Sequence, residues 1–444
     1  MDGMSRRKFL GSVSAAGALS SGSISGCGTR APEKPTSESV RTHLLDGIVR
    51  ENIRITDVKV TLLSCELPPE EQWIIHWVKE GYKCWKTDST LVQVFTDQGI
   101  VGIGGPSQYG VPERVKKYID EKIKPVIVGQ NPFDIELLTC GCIPYDERIG
   151  WAGIDAALWD IIGKAKNEPV YKLLATDNKP NPHVWTYASA GEIYTGSKWP
   201  EDLIKEALRH RENGFNAFKF RPWIAWRFSD MTLKKYIPIL RKLREAVGPD
   251  FYLIQADASS MDLTVQEYVE EFCPVLEELK FLFLQEPLTG RVNNVENHEK
   301  LNQALPTVLI AGGESITNRF GFKEMVDQDY YDIVQPDCSF CSITEAWFIA
   351  RMAHFRGKLC APHNWHGGLT TMANATLTAG VPNGMILEYN QTFNPLREGI
   401  FKEPLVVKNN YMDLPDKPGF GLEIIDDVEK KFPFLPGRYD LPKP

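Results

Sequence analysis

From residue 183 onward the chain alternates between two hydrophobic patterns. Short apolar runs recur as HVWTYAS (183–189), NAFKFR (216–221), FYLIQAD (251–257), FLFLQE (281–286), VLIAGGE (308–314), YDIVQPD (331–337), KLCAPH (358–363) and GMILEY (384–389). Between them lie stretches with the period of amphipathic helices. In EDLIKEALRHRENG (201–214) the final Gly214 stands where a C-terminal cap would. In TLKKYIPILRKLREAVG (232–248) Pro238 predicts a kink or a break. Eight short strands with helical crossovers make a parallel barrel the economical architecture, and in such a barrel the C-terminal strand ends converge on one mouth.

The region before it is mixed. IRITDVKVTLL (53–63) predicts a strand, and STLVQVFTDQGIVGIGG (89–105) predicts a hairpin turning at Asp97–Gly99. Helical patterns begin at Glu113 and run across WAGIDAALWDIIGKAKNEPVYKLL (151–174). Gly102, Gly104 and Gly105 lack the strand-to-helix setting of a phosphate cradle and read as turn glycines. A loop carrying Trp73, His76, Trp77, Tyr82 and Trp85 is a candidate either for lining a substrate pocket or for packing.

Composition narrows the class. The 444 residues are 43% hydrophobic and 24% charged, as in globular enzymes rather than disordered chains, and the length allows two or three domains. The net charge of −8 excludes a basic nucleic-acid binder. No apolar run is long enough to span a bilayer. The charge is uneven, with +3 on residues 1–30 and −11 on the rest. SRRKFLG (5–11), followed by a short, weakly apolar stretch, resembles a twin-arginine export signal, which implies a periplasmic or cell-envelope location. ISGC (24–27) resembles a lipoprotein cleavage box with Cys27 as the lipid-anchored residue. Residues 31–52 read as a polar linker. The nine cysteines are too sparse for a disulfide scaffold, and Cys338 and Cys341 lack the second pair a zinc site needs.

The strand ends carry the chemistry. Asp257, Glu286 and Glu314 close the third, fourth and fifth runs. Three carboxylates brought together would repel unless a cation sits among them, and an all-oxygen donor set suits a hard ion such as Mg²⁺. Lys219 and Arg221, two apart on the second run, face the same side. Asp337 and His363 close adjacent runs, so the carboxylate can fix the imidazole tautomer and strengthen the other ring nitrogen as a base. Glu388 lies on the eighth run; His43, His183, His210, His298 and His354 fall in contexts that read as structural.

With the strand-end series, the helix IDAALWDIIGKA (154–165) and DLPDKPGFGLEI (413–424), the chain over about 53–430 resembles the enolase superfamily, in its mandelate racemase and muconate-lactonizing branch. The resemblance implies a modified (β/α)7β TIM barrel at 181–412, an N-terminal α+β capping domain at 53–180, and a segment at 413–444 returning to the cap. It implies Mg²⁺ on Asp257, Glu286 and Glu314, Lys219 on the substrate carboxylate, and His363 with Asp337 as the base. Glu388, if protonated, would hydrogen-bond an enolate oxygen. Cap loops near 65–88 and 105–111 would close over the barrel and select substrate. Members of the branch assemble as homo-oligomers.

One departure shapes the expected activity. Racemizing members carry Lys-x-Lys on the second strand, and Arg221 replaces the second lysine. A guanidinium is a poor base at neutral pH, so one good base remains. A single dyad suffices to remove the proton α to a carboxylate and to protonate a departing 3-hydroxyl. That predicts a lyase dehydrating a sugar acid, aldonate or aldarate, to a 2-keto-3-deoxy acid, with Arg221 holding a substrate hydroxyl or carboxylate. Racemase or epimerase activity, cycloisomerisation, and a sugar-acid binding lipoprotein without turnover are the alternatives.

Overall fold

The computed structural model describes residues 43–75, 82–139, 145–176, 179–191, 201–222, 226 and 230–443, with the side chains of 145–147 excepted. The twin-arginine stretch, Cys27, His76, Trp77, Cys140 and Cys142 lie outside the described residues. Among the described residues no helix is long and apolar enough to cross a membrane. Of their six cysteines, five are buried.

The capping domain is built on an antiparallel sheet of β1 (Ile55–Glu66), β2 (Lys86–Thr96) and β3 (Val101–Gly104), in that order. Its helices include α1 (Pro112–Tyr118) and the long α2 (Tyr145–Lys166). The triplet of glycines is not a turn. Gly102 and Gly104 lie within β3, where a Cβ would overlap the carbonyl oxygens of Ala157 and Gly153 on α2. Close approach of helix to strand, rather than a positive φ, requires glycine there. The linker expected up to residue 52 also ends early. Leu44 is buried in the cap core, and the Asn131 side chain donates to the Glu51 carbonyl at 2.7 Å. Leu44, with Leu45 and Ile48 packed beside it, anchors the stretch.

Eight parallel strands form the barrel: β4 (His183–Ala190), β5 (Ala217–Phe220), β6 (Tyr252–Gln255), β7 (Phe283–Gln285), β8 (Leu309–Gly312), β9 (Ile333–Val334), β10 (Leu359–Cys360) and β11 (Leu387–Asn390). Each falls within or beside one of the eight apolar runs. The ring closes because β11 pairs with β4, while a parallel bridge between Cys360 and Gly384 links β10 to the approach of β11. Helices α3 (Glu201–Glu212), α4 (Leu233–Val247), α5 (Cys273–Glu278), α6 (Val295–Ala304), α7 (Arg319–Asp327), α8 (Ile343–Phe355) and α9 (Gly368–Gly380) occupy the seven crossovers. Side chains alternate as the pleat requires. On β5, Ala217 joins the barrel interior with Tyr187, Ile254 and Phe283, whereas Phe218 and Phe220 pack in the layer beneath the helices. Helix α4 continues through Pro238. The proline lies near its start, and the buried stripe of Leu233, Tyr236, Leu240, Leu243 and Val247 holds both sides in one helix.

After β11 the chain forms a small hairpin, β12 (Val407–Lys408) and β13 (Tyr411–Asp413), with β13 antiparallel to β4. It then runs back over the cap, where Lys59 pairs with Glu429. Two buried carboxylates of α2 join the parts. Asp155 accepts from the backbone N–H groups of Ile343 and Thr344 at the start of α8, at 2.9 and 3.2 Å, and from the hydroxyls of Thr139 and Thr344. Asp160 accepts from the N–H of Ile103 in the cap sheet and of Phe420 in the returning segment, each at 2.9 Å. Asp155→Ala would strand those buried donors, a loss on the order of 3 kcal/mol. Chemical denaturation is expected to show that loss, with Asp155→Asn less affected; a change below about 1 kcal/mol would contradict the assignment.

Candidate active site

Every strand-end residue singled out in the barrel reaches the same mouth. Asp257 and Glu286 adopt left-handed backbone, with φ of 44° and 47°, and Glu314 follows Gly313 at φ 105°. A left-handed non-glycine residue costs on the order of 1–3 kcal/mol and persists only where its surroundings demand it. Here the three consecutive chain exits turn a carboxylate toward the mouth. Glu286 accepts from the Gly313 N–H at 2.6 Å, and Glu314 accepts from the Gln285 side chain at 2.6 Å.

The carboxylates strain against each other. Burial, then the charges of Glu314 and Asp257, push the Glu286 carboxyl up to about 7. Glu314 is likewise raised, by burial first, although the His363 charge opposes it. Their oxygens are nevertheless not gathered as tightly as the sequence reading expected. Among the described residues only Asp337, His363 and His366 bring ligand atoms within 4.8 Å of one another. The physical reason lies at Asp257, whose Oδ2 is drawn to Nε of Arg221 at 3.0 Å. Arg221 also donates to the Ala190 carbonyl at 3.2 Å and lies over the Trp365 ring at 3.9 Å. It therefore holds a protein carboxylate in addition to any substrate group expected of it.

The rest of the mouth is one polar chain. Ser189 donates to Oε1 of Glu388 at 2.6 Å, and the Asn364 N–H donates to its Oε2 at 3.0 Å. Lys219 pairs with Glu388 at 2.6 Å and donates to Oε1 of Gln285 at 2.9 Å. Gln285 leads to Glu314, whose Oε2 is 3.7 Å from Nε2 of His363. Nδ1 of His363 meets Oδ2 of Asp337 at 2.8 Å. The same oxygen meets Nε2 of His366 at 3.1 Å, and His366 in turn reaches the hydroxyl of Ser107 in the cap at 3.2 Å.

Charge states follow. Burial alone would raise Glu388, but Lys219 and His363 hold it down at about 2. A carboxylate so ionised accepts hydrogen bonds, whereas the enolate contact that the resemblance implies for Glu388 requires its protonated form. Asp337 is held far below the usual carboxylate range, its burial outweighed by His366 and His363. Burial would lower the His363 imidazole, but Glu314, the Asp337 hydrogen bond and Glu388 together lift it to about 9. Five carboxyl groups (Asp257, Glu286, Glu314, Asp337 and Glu388) face three basic groups (Lys219, Arg221 and His363), so acids outnumber bases by two, and the raised Glu286 and Glu314 carry that crowding. That excess, with oxygen donors on Asp257, Glu286 and Glu314, fits a divalent hard cation. In the nitrogen-rich trio, Oδ2 of Asp337 is already engaged by both imidazoles, His363 and His366.

The aromatic loop divides. Trp73 is buried and meets Trp365 edge-on at 6.4 Å, next to Arg221. Tyr82 packs against the small cluster of Leu67, Trp73, Ile75 and Cys84. Trp85 turns away and donates to the Arg438 carbonyl at 2.9 Å. Sequence reasoning missed His366, Gln285, Ser189 and Trp365. The HNWH run (363–366) was the available signal for His366; Gln285 precedes an acidic strand end and only register reveals its role.

In the metal-free protein His363 is expected to titrate near about 9, against roughly 6.5 for an ordinary histidine. Its contribution to stability is then complete below the ordinary value and is lost as pH rises through about 9. Glu314→Gln removes the largest raising charge, so the imidazole resonances followed by NMR should shift at a lower pH. An unchanged midpoint would contradict the role given to Glu314.

Comparison with known proteins agrees with this geometry. Residues 78–175 match the mandelate racemase/muconate lactonizing enzyme N-terminal domain, and residues 202–428 match the enolase C-terminal domain-like family. The chain is 30% identical over 349 residues to arabinonate dehydratase of Saccharolobus solfataricus, covering 77% of this chain and 89% of that protein. It is 27% identical over 398 residues to D-galactarolactone cycloisomerase of Agrobacterium fabrum, covering 86% and 99%. A solved enolase-superfamily structure from Polaromonas sp. JS666 superimposes with a TM-score of 0.73 at 27% identity, covering 87% of this chain and 99% of that one. With cap, barrel and both family domains in register, the chain belongs to the mandelate racemase/muconate lactonizing enzyme family of the enolase superfamily.

Proposed function

We propose that this enzyme removes the proton α to the carboxylate of a sugar acid and then expels the 3-hydroxyl as water, giving a 2-keto-3-deoxy acid. The observation that carries the reading is the one-sided base. His363 is held on Asp337 at 2.8 Å, while the second-strand position that would serve as another base is Arg221, tied to Asp257 at 3.0 Å. The arabinonate dehydratase among its relatives supports the same chemistry.

Mg²⁺ held by Asp257, Glu286 and Glu314 would supply Lewis-acid stabilisation of the charge that develops on the substrate carboxylate. Lys219 adds a fixed positive charge there: its ammonium has three donors, of which Glu388 and Gln285 engage two. Neutral His363 takes the C2 proton at Nε2, while Asp337 keeps Nδ1–H oriented and stabilises the imidazolium that forms. The imidazolium then returns its proton to the C3 hydroxyl as the C3–O bond breaks, and the resulting enol tautomerises to the ketone. Glu388 acts by holding Lys219, not as a proton donor. Trp365 packs over Arg221, with Trp73 edge-on behind it.

Incubation with aldonates and aldarates plus Mg²⁺ is expected to yield 2-keto-3-deoxy acid from at least one of them. His363→Asn should reduce the rate by about 10²–10⁴-fold or more. A chelator should abolish it. Wild-type rates in His363→Asn, or turnover indifferent to chelation, would contradict the mechanism.

A second reading, cycloisomerisation, draws on the Agrobacterium relative. It uses the same proton abstraction but expels a ring or lactone oxygen in place of water. Turnover of a sugar lactone with no turnover of any open-chain acid would select it.

A further inference from the structure

Beyond Phe432 the chain lies across the aromatic cap loop. The Leu435 carbonyl accepts from the ammonium of Lys86 at 2.7 Å, and the Arg438 carbonyl accepts from the Trp85 indole at 2.9 Å. Lys86 is fully buried, 4.8 Å from the Phe434 ring centre and 2.9 Å from Asp88. A buried ammonium so dependent on its partners fixes the course of the segment that compensates it.

That course sets Tyr439 behind the aromatic wall that flanks Arg221. Its ring lies 6.4 Å from Trp73, Trp73 meets Trp365 at 6.4 Å, and Trp365 covers Arg221 at 3.9 Å. Tyr439 also walls a narrow cavity of about 10 Å³, room for about one water, bounded by Trp73, Asp88, Gln108, Asn390 and Asn394. Asn390 lies two residues past Glu388, at the end of β11. Two buried acceptors of this wall, Oδ2 of Asp88 and Oε1 of Gln108, have no hydrogen-bond partner among the described residues. Buried acceptors require donors, and the terminal hydroxyls of a polyol chain are donors.

We infer that the C-terminal segment is part of the substrate chamber, with the Tyr439 ring closing its distal end and limiting the length of acid admitted, while Asp88 and Gln108 accept the terminal hydroxyls. This inference rests on the sugar-acid reading above. It assigns to the end of the chain a specificity function separate from the strand-end chemistry.

The test uses the full chain in a His363→Asn background, so that ligands bind without turning over. Calorimetric titration with a five-carbon and a six-carbon aldonate, in the presence of Mg²⁺, gives the ratio of their dissociation constants. Tyr439→Ala is expected to shift that ratio by about tenfold toward the longer acid, the effect of one chain unit in a fitted pocket. Tyr439→Phe, which keeps the ring, should leave it nearly unchanged, and Tyr439→Trp should favour the shorter acid. Thermal transitions check that each variant is folded; if Tyr439→Ala is not, Tyr439→Leu carries the same expectation. Binding of both acids with an unaltered ratio in the folded variants overturns the inference and leaves the sugar-acid reading intact. Failure of the parent to bind either acid overturns the sugar-acid reading, and this inference with it.

Discussion

Charge that cannot reach water is the constraint around which this molecule is arranged. Lys219, Glu388, Asp337 and His363 are each at most 3% exposed at the barrel mouth, with Glu286, Glu314, Asp257 and Arg221 beside them. Isolated, each of the four buried groups would be prohibitively costly; linked, they form a chain in which nearly every charge has a partner. Closure of the barrel makes this possible, since pairing of β11 with β4 sets Glu388 beside Ser189 and within reach of Lys219. The balance remains negative, and that residue of negative charge is what gives the site its chemical character. It lifts His363 to about 9, and in the mechanism proposed the imidazole acts as base once positive charge comes to the neighbouring carboxylates.

The cap packs against this mouth from several sides. Ser107 touches the His366 side of the base, Trp73 backs the Arg221 side through Trp365, and the end of the chain presses Trp85 and Lys86 into place. Asp155 and Asp160 hold cap, barrel and returning segment together from a single helix. One helix motif, IDAALWDIIGKA, thereby owes two of its residues to joining parts rather than to reacting with anything.

How much of this was legible in the sequence varies with the physics involved. Strand positions were, because eight short apolar runs separated by amphipathic helical stretches admit few architectures. So were the strand-end acids and the His363–Asp337 pair, since barrel closure fixes which strand ends are neighbours. Side-chain partnerships were not. Nothing in the spacing shows that Arg221 turns to Asp257, that Gln285 bridges Lys219 and Glu314, or that Glu388 is held ionised; each depends on distances set by packing. The glycines of β3 were misread because their reason is a helix some fifty residues away. Pro238 marks no break, because a local rule was outweighed by a buried face. Tyr439 carried no signal, because its partners lie more than three hundred residues earlier in the chain.

The central claim is that the excess negative charge of the mouth is matched by one divalent cation on Asp257, Glu286 and Glu314. Calorimetric titration of the metal-free protein with Mg²⁺ at pH 7, repeated in buffers of different ionisation enthalpy, tests it most directly. The account predicts one ion per chain, proton release on binding from the raised Glu286 and His363, and loss of binding in Glu286→Gln. Absence of binding, or binding unchanged in Glu286→Gln and without proton release, would contradict it.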